Sequence, residues 1–365
     1  MGNMNKIISI LIMFTMCLSL ASCGEKPQAD VTETPIATET PTLLDTISLE
    51  EKVGQILFVR CPETEEEVNS LMAKNPGGIL MFQRDFDGLT KDEVISKIDG
   101  FQSASKIPLI IGADEEGGTV VRVSSNPNLA PEKYKSPQEI YNEGGMEAVV
   151  ANAKEKSELL LSLGVNMNLA PVADVSTNPD TFIYKRSFGQ GYEETAEFIS
   201  QTVTAMNDAG IWSVLKHVPG YGEVTGDSHE GTVYNEKSAE NIRNTDLVPF
   251  KAGIDAGASC VLVSHNTMNS LDSENPASLS PAIHEILRSE LGFDGVIMTD
   301  DIAMGAVSDM ENVYTKAVNA GNDLLITTDY ETGYNQILSA VKSGEISEET
   351  LDNAVEHVLK LKGLI

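Results

Sequence analysis

Short apolar stretches rich in β-branched residues alternate along most of the chain with longer stretches of helical periodicity. This alternation is typical of parallel βαβ units, in which each buried strand is followed by a helix that covers the sheet. Eight stretches have the length and composition of strands: Val53–Val59, Gly78–Phe82, Pro108–Ala113, Asn166–Ala170, Ser213–Leu215, Ser259–Ser264, Gly295–Thr299 and Asp323–Thr327.

Helix-start signals lie between these stretches. Ser48 followed by Glu51 is a capping box, and Ser280-Pro281 and Ser347 each precede a helical pattern. Eight βα units predict an α/β fold, a closed (β/α)8 TIM-type barrel, as one catalytic domain over residues 45–365. An open doubly wound sheet is the alternative, but no GxGxxG motif follows an early strand.

Charged residues follow five of the eight predicted strands. They are Asp114, Asp174, the pair Lys216-His217, His265 and the pair Asp300-Asp301. Barrel enzymes place their catalytic groups at the C-terminal ends of the strands, where neighbouring strand ends converge. The pattern therefore predicts an active site on this rim, built from side chains that are distant in sequence.

The first 44 residues have the composition of a targeting signal followed by a linker. Residues 1–22 carry a basic start and a short apolar stretch, which is typical of a signal peptide. Leu20-Ala21-Ser22-Cys23 resembles the bacterial lipobox, which predicts lipidation of Cys23; a plain secretory signal is the alternative. Residues 23–44 are rich in Pro, Thr and Glu and predict a disordered linker. We expect an extracytoplasmic protein, lipid-anchored to the cell membrane.

Charge and cysteine content exclude some classes of function. The formal net charge is −30, which argues against nucleic acid as a partner, since its binding requires basic patches. Beyond the N-terminal segment, Cys61 and Cys260 are far apart and without CxxC spacing, so a disulfide framework is not expected, although a single bridge between them stays open.

Two segments carry most of the candidate chemistry: Lys216 to Gly222 followed by Asp227-Ser228-His229, and Gly295-Val296-Ile297-Met298-Thr299-Asp300-Asp301. Together they resemble family 3 glycoside hydrolases, and within them the bacterial β-N-acetylhexosaminidase branch. Further matching segments are Leu49 to Gln55, Asp114 to Gly118, Arg186 to Gly189 and Ile286 to Arg288. The resemblance covers essentially the whole domain after the linker.

The resemblance implies a role for each matching residue. Asp300 matches the nucleophile, His229 the acid/base, and Asp227 the residue that orients His229. Four further residues match sugar-binding positions: Asp114, Arg186, Lys216 and His217. From the residues alone, Lys216 and Asp114 could instead form a structural ion pair, and His217 could be a core histidine.

The implied activity is that of a retaining exo-glycosidase that removes terminal β-linked N-acetylglucosamine, as a monomer, without metal or cofactor. A phosphorolytic β-N-acetylglucosaminidase and a β-glucosidase of the same family are alternatives. A non-catalytic glycan-binding lipoprotein and a metal-dependent hydrolase are less favoured. Tyr221, Thr119 and Lys185 depart from the family's pattern, and because we expect them around the sugar pocket, they leave sugar preference open.

Overall fold

The computed structural model of the protein describes residues 41–222, 224, 231 and 233–365. Residues 41–365 form one compact unit. Its strands are β1 Leu57–Arg60, β2 Gly78–Met81, β3 Ile110–Ala113, β4 Met167–Asn168, β5 Trp212–Val218, β6 Tyr234–Asn235, β7 Cys260–Val263, β8 Thr267–Met268, β9 Val296–Thr299 and β10 Leu325–Thr327.

Eight of these strands form the predicted barrel. Hydrogen-bonded neighbours follow the order β10-β1-β2-β3-β4-β5-β7-β9, and each of these pairings is parallel. A parallel bridge between Met298 and Leu324 joins β9 to β10 and closes the ring. The predicted (β/α)8 fold is therefore confirmed. The short strands β6 and β8 pair with each other outside the barrel, and the hydrophobic pattern gave no sign of them.

Helices follow the strands around the barrel. Their bounds are α1 Leu43–Thr46, α2 Leu49–Gln55, α3 Glu65–Met72, α4 Lys91–Ala104, α5 Pro137–Ser162, α6 Tyr192–Ala209, α7 Ala239–Asn244, α8 Leu247–Asp255, α9 Pro281–Glu285, α10 Val313–Ala320, α11 Tyr330–Ser343 and α12 Glu348–Leu361. Gly145, with φ 66°, interrupts α5. Short 3-10 turns span Gln83–Asp85 and Ala277–Leu279, and a π-helical turn spans Ile286–Glu290.

Side-chain capping explains where several helices begin. The Ser48 hydroxyl accepts a hydrogen bond from the Glu51 N–H, and the Glu51 carboxylate accepts one from the Ser48 N–H, as predicted for α2. Ser347 caps α12 by accepting from the Thr350 N–H at 3.0 Å. Each cap satisfies a backbone donor that the first helical turn leaves free. None of the described helices is both long and apolar enough to cross a membrane.

Side chains fill the barrel interior, so a ligand cannot bind inside the barrel. Alternate residues of each strand point inward, and they form one apolar cluster that includes Phe58, Leu80, Ile110, Leu262 and Met298. The residues between them face the surrounding helices. Cys61 and Cys260 are both buried free thiols.

Two strand boundaries differ from the predicted ones. The stretch Val53–Val59 was assigned to one strand, but Val53 lies in α2 and the strand begins at Leu57, because the capping box at Ser48 starts a helix that continues to Gln55. The fifth strand does not end before Lys216-His217 but continues to Val218.

Candidate active site

A cavity of about 300 Å³ opens where the carboxyl ends of the barrel strands converge. Both charged and apolar side chains line it: Arg60, Leu80, Phe82, Asp114, Val120, Arg122, Leu169, Arg186, His217, Tyr221, Leu262, Asp300, Asp301, Met304 and Ile326. The structure thus brings together four of the predicted site residues that are distant in sequence, Asp114, Arg186, His217 and Asp300. Ligand pockets in proteins range from roughly 300 to 1,000 Å³, so this cavity suits a small ligand.

Asp300 is the first residue after β9. Its N–H donates to the Val263 carbonyl at 2.9 Å, which continues the ladder with β7 by one residue, and its Oδ1 accepts from the Asp301 N–H at 2.9 Å. Its half-buried carboxylate lines the cavity. A strand end thus holds a partly solvent-accessible carboxylate in a fixed position.

Asp301 lines the same cavity. In a continuing strand its side chain would face the opposite side from that of Asp300, but β9 ends at Thr299 and the chain turns there. The Ala303 N–H donates to Asp301 Oδ1 at 3.0 Å. Burial raises the pKa of the Asp301 carboxyl, and the hydrogen bond from Ala303 offsets part of this increase. The Asp301 carboxylate therefore both stabilises the turn after β9 and faces the cavity.

A buried network of two cations and two carboxylates underlies one wall. Lys216 Nζ lies 2.7 Å from Asp114 Oδ1 and 2.6 Å from Glu116 Oε1, and its side chain is 2% exposed. Arg186 donates to both oxygens of Glu116, at 3.0 and 2.8 Å. The structural ion pair between Lys216 and Asp114 is therefore present, while Asp114 also faces the cavity.

The charges in this network hold its carboxylates ionised. Burial alone would raise the pKa of Asp114, but the Lys216 ammonium and the Arg122 guanidinium bring it below its usual value. For Glu116, burial is outweighed by Arg186 and Lys216, which together hold its pKa far below the usual range. The wall that presents Arg186 and Asp114 to a ligand is thus fixed by ionic hydrogen bonds.

His217 is held in one orientation by its neighbours. Its Nδ1 lies 2.6 Å from Asp174 Oδ2, and its Nε2 lies 3.1 Å from the Arg186 guanidinium. Arginine can only donate, so Nε2 accepts and the proton resides on Nδ1, from which it is donated to Asp174. The Tyr221 ring packs edge-on against the imidazole, with centroids 5.4 Å apart. Asp174, predicted as a polar strand end, thus acts through His217 and does not line the cavity.

His265 supports the turn that carries the two aspartates. Its Nε2 lies 3.0 Å from the Asp301 carbonyl oxygen and its Nδ1 lies 2.7 Å from the Ser278 hydroxyl. Since the carbonyl can only accept, Nε2 donates to it, while Nδ1 forms a second hydrogen bond with the Ser278 hydroxyl. The ring is fully buried and does not line the cavity, so His265 stabilises the turn.

The remaining sequence predictions have different outcomes. Asp227 and His229 lie outside the described residues. Tyr221 lines the cavity, as expected, but the expectation was wrong for Thr119 and Lys185, which are exposed and line a separate surface depression. Within the described chain, no group of three or more His, Cys, Asp or Glu side chains is placed to hold a metal ion.

Several cavity residues were missed from the sequence: Arg60, Phe82, Arg122, Met304 and, beneath the wall, Glu116. Arg60 and Phe82 end or follow the first two strands, so their position was a usable signal. Arg122 lies beyond a turn that follows β3, and no periodicity predicts that its side chain returns to the rim.

The Glu116 network should dominate local stability. Glu116→Gln leaves Arg186 and Lys216 without a full counter-charge, so we expect it to lower the free energy of unfolding by roughly 3–5 kcal/mol at neutral pH. Chemical denaturation measures this. The control is Glu143→Gln, which removes an exposed partner of Lys135 and should change the free energy by roughly 1 kcal/mol or less.

The pH dependence of that loss has a defined sign. Because the folded-state pKa of Glu116 is lowered, its contribution is complete above the unfolded carboxyl pKa of about 4.3 and declines as pH falls below it. The stability difference between wild type and Glu116→Gln should therefore be constant from pH 8 to pH 5 and shrink in stronger acid. Equal losses for the two variants would show that the buried network is not the stabilising element.

A closed (β/α)8 barrel with a carboxylate, paired basic side chains and apolar surface around a small cavity at its C-terminal rim is the arrangement of a barrel glycoside hydrolase. The chain belongs to glycosyl hydrolase family 3, whose N-terminal domain matches residues 48–361.

Several similar proteins are named β-hexosaminidase or β-N-acetylglucosaminidase. β-Hexosaminidase LpqI of Mycobacterium tuberculosis is 29% identical over 330 residues, covering 87% of this chain and 83% of the relative. A β-hexosaminidase of Stenotrophomonas maltophilia is 30% identical over 296 residues, covering 79% of this chain and 86% of the relative. A family 3 β-N-acetylglucosaminidase structure from Paenibacillus sp. superimposes with a TM-score of 0.81 at 30% identity; the match covers 87% of this chain and 62% of that one.

Proposed function

We propose that the protein is a retaining exo-glycosidase that hydrolyses terminal β-linked N-acetylglucosamine from glycans. The observation that carries this proposal is the position of Asp300, a carboxylate at the end of β9 in a cavity of about 300 Å³. A cavity at the lower end of the ligand-pocket range admits a single sugar ring more readily than an internal chain segment, which favours exo-cleavage. The names of the relatives support N-acetylglucosamine as the sugar.

The reaction proceeds in two displacements. Asp300 attacks the anomeric carbon, the glycosidic bond breaks, and the leaving oxygen takes a proton from the acid/base. In the second step the acid/base removes a proton from water, the water oxygen attacks the anomeric carbon, and the Asp300 ester bond breaks. Two inversions leave the β configuration unchanged. We assign the acid/base to His229, oriented by Asp227.

The described residues would hold the sugar for this reaction. Arg186 and Asp114 are fixed by buried ionic hydrogen bonds, so their free donor and acceptor sites are in place before the ligand arrives. His217 Nδ1 is bound to Asp174, which fixes the ring against Arg186. Such prior ordering lowers the entropy cost of binding and orients the anomeric carbon toward Asp300.

A panel of chromogenic β-glycosides tests the assignment. The N-acetylglucosaminide should be cleaved with the highest kcat/KM, well above the glucoside, and added phosphate should not change the product. Release of sugar 1-phosphate would instead identify the phosphorolytic alternative, and preference for the glucoside would identify a β-glucosidase. Failure to cleave any glycoside would leave a glycan-binding protein and refute the proposal.

We also propose that lipidation of Cys23 tethers the enzyme to the outer face of the cell membrane through residues 23–44. The lipobox-like sequence before Cys23 supports this, since acyl chains anchor proteins by burying CH2 groups. Cys23→Ala should move the protein from the membrane fraction to the soluble or unprocessed fraction. Equal partitioning of both forms would exclude the anchor. We also propose that the enzyme acts as a monomer, which sedimentation would test.

A further inference from the structure

Two arginines and a phenylalanine form a stacked wall on one side of the cavity. Arg60, the last residue of β1, places its guanidinium carbon 4.1 Å from the centroid of the Phe82 ring. The Arg122 guanidinium lies 5.4 Å from the same centroid. All three side chains line the cavity that contains Asp300. Stacking on an aromatic ring fixes the plane of a guanidinium and therefore the directions of its N–H donors.

Arg60 differs from the other cavity arginines in its partners. Arg186 is bonded to Glu116 through two N–H groups, and Arg122 donates to Asp114 at 3.4 Å. Arg60 makes no ion pair with any carboxylate in the described part of the chain, and its buried Nε, like that of Arg122, has no hydrogen-bond partner there. A buried donor without a partner lowers the stability of the fold. Its retention in the cavity therefore indicates that a ligand supplies the missing hydrogen-bond acceptor.

The charges around the cavity indicate a neutral ligand. Among its described lining residues, three arginines, Arg60, Arg122 and Arg186, face three carboxylates, Asp114, Asp300 and Asp301. The His217 ring is neutral in the tautomer that its partners require. The balance of charge therefore does not call for an anionic group, and the donors of Arg60 suit the uncharged oxygen atoms of a sugar.

We propose that Arg60 is a substrate-binding residue that determines sugar specificity, donating hydrogen bonds to one oxygen-bearing substituent of the ring held in the cavity. This inference rests on the proposed function, because it assigns a further contact within the same site. Phe82 acts as a positioning residue that holds the guanidinium plane. The bound sugar oxygen would satisfy donors that the folded chain leaves unused.

The test combines removal of the side chain's donors with removal of single substituents from the sugar. Arg60→Met keeps an extended apolar side chain against Phe82 but has no donors, and Arg60→Lys keeps the charge without the planar fork. The matched control is Arg84→Met. Arg84 lies two residues after Phe82, within the 3-10 turn Gln83–Asp85, but it bonds Glu63 and the Cys61 carbonyl. Each protein is assayed with the aryl β-N-acetylglucosaminide, with its monodeoxy analogues and with the 2-hydroxy sugar.

We expect Arg60→Met to lower kcat/KM for the parent glycoside on the order of 10- to 100-fold, largely through KM, with Arg84→Met within twofold of wild type. For one analogue, kcat/KM should fall relative to the parent glycoside in wild type but not in Arg60→Met. The substituent that this analogue lacks is the one that Arg60 contacts. For every other analogue, kcat/KM relative to the parent glycoside should fall by the same factor in wild type and in Arg60→Met. Arg60→Lys should lie between wild type and Arg60→Met.

Three results would overturn the inference: unchanged kcat/KM in Arg60→Met, identical losses for every analogue in wild type and variant, or failure of both Arg60 variants to fold. The last would assign Arg60 to the fold. If wild type cleaves no glycoside, the proposed function fails separately. Calorimetric titration of wild type and Arg60→Met with free N-acetylglucosamine then decides whether Arg60 binds sugar, and equal affinities would refute it.

Discussion

Asp300→Ala should lower kcat by about 10⁴-fold or more while leaving the fold intact, because it removes the carboxylate that forms the glycosyl-enzyme bond. The Asp300 backbone N–H holds the ladder with β7, and alanine retains that donor. The half-buried side chain makes no ion pair among the described residues, so its removal should cost little stability. Circular dichroism and thermal unfolding would establish that the loss is chemical.

Asp301→Asn is the matched control, since both carboxylates line the cavity and are adjacent in sequence. Asp301 accepts a hydrogen bond from the Ala303 N–H, which the asparagine side chain can also accept. A mechanism-based fluorosugar should therefore label wild type and Asp301→Asn on the peptide that contains residue 300, and leave Asp300→Ala unlabelled. Label attached to Asp301 itself would show that Asp301, and not Asp300, is the nucleophile.

The closed barrel was predictable because the same βα unit repeats along the chain. Each βα unit carries its own alternation of apolar strand and amphipathic helix, and side chains such as Ser48 and Ser347 set helix starts through local hydrogen bonds. Strand bounds were less predictable. Val53 is apolar whether it lies on a helix face or in a strand, and only the helix that starts at Ser48 decides between the two.

The candidate site was predictable where strand position alone brings residues to the rim. Asp114, His217 and Asp300 converge because they lie at or just beyond the carboxyl-terminal parts of parallel strands of one barrel. Sequence spacing could not place Thr119 and Lys185, because both lie in loops whose course depends on packing; both proved to lie in a separate depression.

The role of Glu116 was not predictable from the sequence for a different reason. Its segment was recognised, but a buried carboxylate acquires a role only through the cations around it. Lys216 and Arg186 come from elements 100 and 70 residues further along the chain, and only the folded barrel brings them to Glu116. For Arg60 the position at the end of β1 was a usable signal, and only its stacking on Phe82 of the next βα unit required the folded barrel.

His229→Ala should separate substrates by their leaving groups. His229 lies outside the described residues, so the expectation rests on its proposed chemistry. General acid–base catalysis typically contributes 10²- to 10⁴-fold, so cleavage of unactivated disaccharides should fall by about that factor. An aryl leaving group of low pKa departs without a proton, and its release should fall by about tenfold or less. Asp227→Ala should show a milder version of the same pattern, since it orients the ring without carrying the proton.

The second displacement gives the sharper test, because water still needs a base after the aryl group has left. In His229→Ala the glycosyl-enzyme on Asp300 should therefore accumulate, producing a burst of released phenol followed by slow turnover. Azide attacks the anomeric carbon as an anion and needs no base, so it should restore rapid turnover and yield the β-glycosyl azide in His229→Ala. Wild type should gain little from azide. Equal losses on aryl glycosides and disaccharides, with no burst and no azide rescue, would show that His229 binds the sugar without transferring protons, and the acid/base would then have to be another residue on this rim.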